Sequence, residues 1–330
     1  METGGWNEAE LHAWLRQTLT PDGGGRQGAC HDAAVLEAGQ GRPVLCCDRT
    51  EQGIHFDDSA SPEQIGWKAA ARALSDLAAT AATPRGILLS LAAPKHHNTA
   101  WMQAVIQGAI AAADSVGAQL IGGDLTAIDR GVSLVVSAHG HLDPAAGNQA
   151  APGRDRAEPG QLLLVTGPLG GSLLGRHLAI EPRITEGRAL WQAGATAMMD
   201  VSDGLAQDAG RIAMASNVVI ELESLPLHGD AQRLAIQSGK SAIHHALFDG
   251  EDHELLATIS PQGHAALGPV LALPLGRIGP ATTQRPAGVY VPAPWLPSED
   301  GARRESPSPD SGPVWTRLDP LDERGWIHGS

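Results

Sequence analysis

Apolar positions recur along the chain in two rhythms, one near 3.6 residues and one near two. Leu11, Trp14, Leu15 and Leu19 keep helical spacing and predict a short helix over residues 7–19. "RPVLCCD" is a brief apolar run that ends in Asp48, the pattern of a strand with a polar residue at its tip. "SPEQIGWKAAARALSDLAATAATP" predicts a long helix with Ser61 as N-cap, Pro62 in the first turn and Pro84 bounding the far end. Strand-like "RGILLSLAAP" follows, then a helix from about Thr99 to Val116 and a strand, "AQLIGGD", that ends in glycines and an acid. "GVSLVVSAHGHL" alternates as a half-buried strand does.

"DPAAGNQAAPGRDRAEPG" is rich in turn residues and predicts a boundary, with one domain over residues 1–150 and a second over 151–330. The second opens with "QLLLVTGPLGGSLLGRHLA", read as strand, glycine turn and helix. Mixed elements in both halves predict an α/β or α+β protein. From Pro292 to Pro313 periodicity is lost among Pro, Ser and charged residues, which predicts a disordered segment near 292–313.

At 330 residues the chain is long enough for about two domains. Aromatic residues make up only 3% of it, so packing rests on Ala, Leu, Val and Ile. The formal charge of −14 argues against a nucleic-acid surface, because phosphate backbones are bound by clustered Lys and Arg. Three cysteines, Cys30, Cys46 and Cys47, make no disulfide framework and no CxxC pair. With no signal-peptide pattern and no apolar run of about 18 residues, a soluble cytoplasmic protein without a membrane partner is expected.

Gly170 and Gly175 give the spacing of a phosphate loop, but Arg176 and His177 stand where Lys and Ser or Thr are required. The acids are more informative. Asp32, Asp48, Asp76, Asp124, Asp200 and Asp203 each border or interrupt an apolar segment. Ser202 or Asp203 could simply cap a helix starting near Leu205, and Asp76 could pair with Arg72 one turn away. Convergence of the six would demand several divalent cations, since unit charges ~4 Å apart repel by ~4 kcal/mol at an effective dielectric of 20. Magnesium and a phosphorylated nucleotide fit such a set, and the chemistry implied is phosphoryl transfer.

"DRTEQGIHF", "IGWKAAARALSDLAATAATPRGILLSLAAP", "LIGGDLT", "GRDRAEPG", "MDVSDGLAQDAGRIA" and "FDGEDHELL" together resemble the thiamine-monophosphate kinase family, part of the superfamily that includes aminoimidazole ribonucleotide synthetase. The resemblance runs from about Trp14 to Pro280 and resumes at the C-terminus. It implies a sheet-and-helix N-terminal domain that makes a homodimer, a C-terminal α/β domain, and transfer of the ATP γ-phosphoryl group to thiamine monophosphate.

Position by position, the resemblance assigns Asp32, Cys47, Asp48, Asp76, Asp124, Asp200 and Asp203 to magnesium. It assigns Gly123, Asp124, Arg154 and Ser202 to ATP, and His55, Glu251 and Trp326 to the thiamine phosphate. Several positions depart from the family pattern. Cys30 and His31 precede Asp32 where glycine and a further acid are usual, Cys47 replaces a hydroxyl residue, Ala73 an asparagine and His253 a tyrosine. Two alternatives stay open: another ATP-using enzyme of the superfamily, or a non-catalytic protein that binds nucleotide or thiamine phosphate.

Overall fold

A computed structural model describes residues 5–18, 41–146, 149–267, 272–296 and 314–318. Cys30, His31, Asp32 and Trp326 therefore lie outside the described residues. The first half contains α1 (Glu8–Thr18), β1 (Pro43–Glu51), α2 (Pro62–Ala79), β2 (Thr83–Pro94), α3 (Thr99–Ser115), β3 (Gln119–Ile128) and β4 (Ser133–His141). The strands form one sheet in the order β1-β4-β2-β3, parallel between β2 and β3 and antiparallel elsewhere. Helices α2 and α3 cover one face. The other face is open and carries Leu45, 72% exposed, and Leu88.

Helix α2 begins as its sequence predicts. Ser61 accepts the Gln64 N–H, the Gln64 side chain returns to the Ser61 N–H, and Pro62 occupies the first turn. Its far end differs from expectation. The helix stops at Ala79, Ala81 adopts φ 57°, and Pro84 is already the second residue of β2, beside an irregularity in the pairing with β4. Strand β3 also outruns its prediction: "IGGD" lies in its middle, and the strand continues to Ile128.

Buried residues surround α2 on every side, from Ile65 and Ala69 to Leu77 and Ala78, as befits a helix enclosed between layers. It touches β1, β4 and α3 on one flank and α4 (Ile184–Gln192), β6 (Ala197–Asp200) and β8 (Leu255–Ile259) on the other. Small residues allow this. A methyl group on Gly66 would stand 1.8 Å from Val105 O, and one on Gly108 2.0 Å from Glu63 O. Gly66→Ala must push α2 and α3 apart and is expected to cost about 1–3 kcal/mol or more. Gly229→Ala, where a methyl group meets nothing within 4 Å, serves as the control in thermal unfolding. Equal melting temperatures would show that the two helices separate freely.

The second half adds β5 (Leu162–Val165), α5 (Leu205–Ser216), β7 (Val218–Leu222), α6 (Gly229–Ser238), α7 (Ala242–Phe248), α8 (Pro261–Ala266), β9 (Leu273–Pro280), β10 (Gly288–Pro292) and β11 (Trp315–Arg317). Seven strands pair in the order β11-β10-β7-β9-β5-β8-β6. After β5 the expected α-helix is replaced by two short 3₁₀ turns, Ser172–Leu174 and Arg176–Leu178. Gly170, Gly171 and Gly175, at φ 94°, 72° and 125°, hold a backbone path that α-helix cannot follow. Pro292–Leu296, expected to be disordered, instead closes β10 and makes a 3₁₀ turn with Ala293 buried. Residues 297–313 of that segment lie outside the described residues. No helix among the described residues is long and apolar enough to cross a membrane.

Candidate functional site

Strand alternation decides which residues of β1 can meet α2. Cys46, Asp48 and Thr50 pair with the buried Ala138, Val136 and Leu134 of β4 and share their face, whereas Cys47 pairs with Ser137 and lies on the open face. Asp48 Oδ2 stands 3.3 Å from Arg72 Nε, and Arg72 Nη1 donates to Arg49 O at 2.9 Å. Arg72 thus serves β1, and the alternative reading in which it pairs with Asp76 does not hold. Burial together with the charges of Asp200 and Asp48 raises the Asp76 carboxyl to about 7. Cys46 shares this negative environment. Burial and the nearby Asp76 push its thiol to about 12, and Sγ donates to Ala73 O at 3.1 Å.

Asp200 arrives at the tip of β6, where its Oδ2 accepts from Ser75 Oγ of α2 at 2.9 Å. The loop 249–254 runs alongside the residues that follow. Glu251 N–H donates to Ser202 O, His253 N–H to Val201 O and Val201 N–H to Glu254 O, each at 2.8 Å. Gly250, Glu251 and His253 adopt φ 73°, 57° and 51°, an uncommon geometry for the latter two. It aims consecutive side chains in opposite directions.

Toward α2, Glu251 Oε2 accepts from Lys68 Nζ at 2.7 Å, and both side chains are buried. His253 stands between the carboxylates, with Nδ1 3.0 Å from Asp200 Oδ2 and Nε2 3.5 Å from Glu251 Oε2. Burial disfavours a charged imidazole, but the hydrogen bond to Asp200 and the charges of Glu251 and Asp200 outweigh it and raise His253 to about 9. Burial likewise opposes charge on Glu251, yet His253 and Lys68 hold its carboxyl well below the usual range.

Toward the glycine turn, Asp252 accepts the Gly170 N–H at 3.0 Å and Arg176 Nη2 at 2.8 Å. The amide that a phosphate loop would offer to its ligand is therefore occupied by a carboxylate. Glu254 takes Arg183 through two bonds, at 2.9 and 2.6 Å.

Neither Ser202 nor Asp203 caps α5. Gly204 is the N-cap residue, and Asp208 Oδ2 reaches back to accept the Ser202 and Asp203 N–H groups, each at 2.9 Å. Arg211 pairs with both Asp203 and Asp208, the latter through Nη1 at 2.5 Å. Burial and the Asp200 charge still raise Asp208 to about 7.

Asp48, Asp76 and Asp200 thus share one electrostatic environment, with Asp208 within reach of Asp200. Asp124 does not join them. It pairs with Ser90, whose own partner is Val135, and faces the open side of the sheet, its Oδ2 accepting from Thr126 Oγ1 at 3.0 Å. Gly123 beside it admits no side chain, since a methyl group would stand 1.9 Å from Leu89 O. Arg154 is exposed, yet its charge reaches Asp76. His55 is buried in the turn after β1, where Nδ1 accepts the Glu51 N–H at 3.0 Å. Among the described residues, no group of three or more His, Cys, Asp or Glu side chains stands ready to hold a metal ion.

Lys68 and Asp208 complete the site and were missed in the sequence. Lys68 carried a signal, because a lysine inside an Ala-rich helix poses the same burial problem as Asp76. Asp208 looked like an ordinary charge in the first turn of a helix.

The profile described as AIR synthase related protein, N-terminal domain, matches residues 30–142. This places the first sheet, α2 and α3 in the AIR synthase-related class of α/β proteins. A thiamine-monophosphate kinase of Rhodopirellula baltica is 37% identical over 261 residues, covering 75% of this chain and 81% of that protein. The chain belongs to the thiamine-monophosphate kinase family. Among solved structures, thiamine-monophosphate kinase from Stenotrophomonas maltophilia K279a aligns with TM-score 0.73 at 32% identity, covering 87% of this chain and 97% of the other. AaThiL complexed with AMPPCP and TMP aligns with TM-score 0.68 at 28% identity, covering 91% and 95% of the two chains.

Proposed function

We infer that this protein transfers the γ-phosphoryl group of ATP to thiamine monophosphate, giving thiamine diphosphate and ADP. A phosphate oxygen of thiamine monophosphate attacks the γ-phosphorus, and the bond to the β-phosphate bridging oxygen breaks. The acceptor needs no strong base, because a phosphate monoester with a second pKa of ~6 is already mostly dianionic at pH 7. Positioning and charge neutralisation remain for the protein to supply. The observation that carries this reading is that Asp76, buried on α2 and facing the charges of Asp200 and Asp48, has its carboxyl raised to about 7, an environment that a cation would relieve.

By chemistry these carboxylates are the hard oxygen donors magnesium takes, though among the described residues they are not gathered into a ready-made ligand cluster. Asp48, Asp76 and Asp200 would hold it from one face, with Asp32 and Asp203 as further acids from the family resemblance. When bound, magnesium neutralises the phosphate oxygens between which the phosphoryl group moves. Gly123, Arg154 and Ser202 are assigned to the nucleotide, and His55, Glu251 and Trp326 to thiamine monophosphate. Asp124, on the open face, suits a site shared between two copies. We accordingly propose a cytoplasmic homodimer that pairs through that face, with a domain boundary near residue 150.

Turnover of thiamine monophosphate to thiamine diphosphate with ATP and magnesium, followed by chromatography, tests the reaction. Absence of turnover beside calorimetric binding of both ligands would instead assign a binding protein. Light scattering on the same preparation sizes it, and a monomer would overturn the pairing.

A further inference from the structure

Two buried carboxylates from different elements meet on one imidazole. Asp200 belongs to β6 and looks toward the acids of β1 and α2. Glu251 belongs to the loop after α7 and is tied to Lys68 of α2. The imidazole of His253 lies between them, 3.0 Å from one and 3.5 Å from the other, and is 2% exposed. Its two nitrogens flank one carbon of a rigid ring and point in divergent directions, so the ring fixes the separation of the carboxylates in a way that no single flexible group could. Glu251 and His253 also hold φ values of 57° and 51°, a backbone cost that persists only where the surroundings maintain it.

We propose that His253 is a positioning residue that sets Asp200 and Glu251 at a fixed spacing, and so aligns the nucleotide side of the site with the acceptor side. This rests on the assignment of Asp200 to the metal-nucleotide complex and Glu251 to thiamine monophosphate. Nδ1 hydrogen-bonds Asp200, whereas Nε2 makes no hydrogen bond among the described residues and faces Glu251 as an ion-pair contact, and the two contacts can be restored separately. Asn places its amide where Nδ1 stands and tolerates positive φ. Gln extends toward the Nε2 position. Gly removes the side chain without adding backbone strain.

The test is calorimetric binding of AMPPCP with magnesium and of thiamine monophosphate alone to His253→Gly, His253→Asn and His253→Gln, with melting temperature and kcat measured alongside. His253→Gly is expected to weaken both ligands by about 10-fold or more, the nucleotide analogue through the lost hydrogen bond to Asp200 and thiamine monophosphate through the lost ion-pair contact to Glu251. His253→Asn should bring the nucleotide analogue back to within about 3-fold of wild type and leave thiamine monophosphate weak, while His253→Gln should do the reverse. Losses that are equal for both ligands in all three variants, in proportion to the fall in melting temperature, would overturn the proposal. Wild-type protein that does not turn over thiamine monophosphate would refute the assigned reaction. The order of AMPPCP affinities would still decide whether His253 positions Asp200.

Discussion

Asp76→Asn is expected to stabilise the metal-free protein near neutral pH while cutting turnover by about 100-fold or more, the scale of losing one preorganised charge-stabilising group. The stability arm follows from the direction of the shift. An aspartate at 3.8 when unfolded and about 7 when folded favours folding only while protonated. Its contribution is fully present below about pH 4 and is lost as pH rises toward 7. Asparagine is neutral throughout, so at pH 7.5 the variant should gain on the order of 1–3 kcal/mol and lose that part of the pH dependence. Magnesium should raise the melting temperature of the wild type more than that of the variant. Melting curves at pH 5 and 7.5, with and without magnesium, and steady-state kinetics check this. Wild-type-like turnover, or a lower melting temperature at both pH values, would remove Asp76 from the proposed metal site.

Lys68→Met is expected to lower stability by about 1.5–3 kcal/mol, the scale of a lost hydrogen bond between charged groups, because Glu251 still faces His253. Lys68 is fully buried and bound to Glu251 at 2.7 Å across the two halves of the chain. Burial pushes its ammonium pKa down, and Glu251 opposes that. Methionine fills a similar volume, so the loss reports the charge left on Glu251 rather than a cavity. Adding Glu251→Gln should restore at least half of the lost stability, because the buried carboxylate is removed with its ammonium partner while His253 keeps Asp200. Denaturant unfolding followed by two probes measures both variants. A double variant no more stable than Lys68→Met would show that packing, not charge, joins α2 to the loop.

Helix α2 shows how much was readable in advance. Its cap, its proline and its Ala-rich stripe are local signals, and the structure reproduces them from Ser61 onward. The strand around Asp48 was legible but its end was not: the apolar run places Asp48 at the tip, whereas β1 carries on to Glu51, and the sequence predicts no strand before Asp200, which ends β6. The two 3₁₀ turns after β5 were not legible either. Their glycines permit several backbone paths, and the choice rests on contacts such as Asp252 with Gly170, 82 residues away in the chain.

The motif order identified the family, and the acids identified the chemistry, because residue type and local spacing survive without coordinates. Which acids meet did not follow from either. The period of two in β1 placed Cys47 and Asp48 on opposite faces, and sheet pairing turned Asp124 away from Asp76. Arg72 left its helical neighbour for a carboxylate 24 positions earlier in the chain. Such choices depend on which charges burial brings within a few ångströms of one another, and only the packed layers around α2 define those distances.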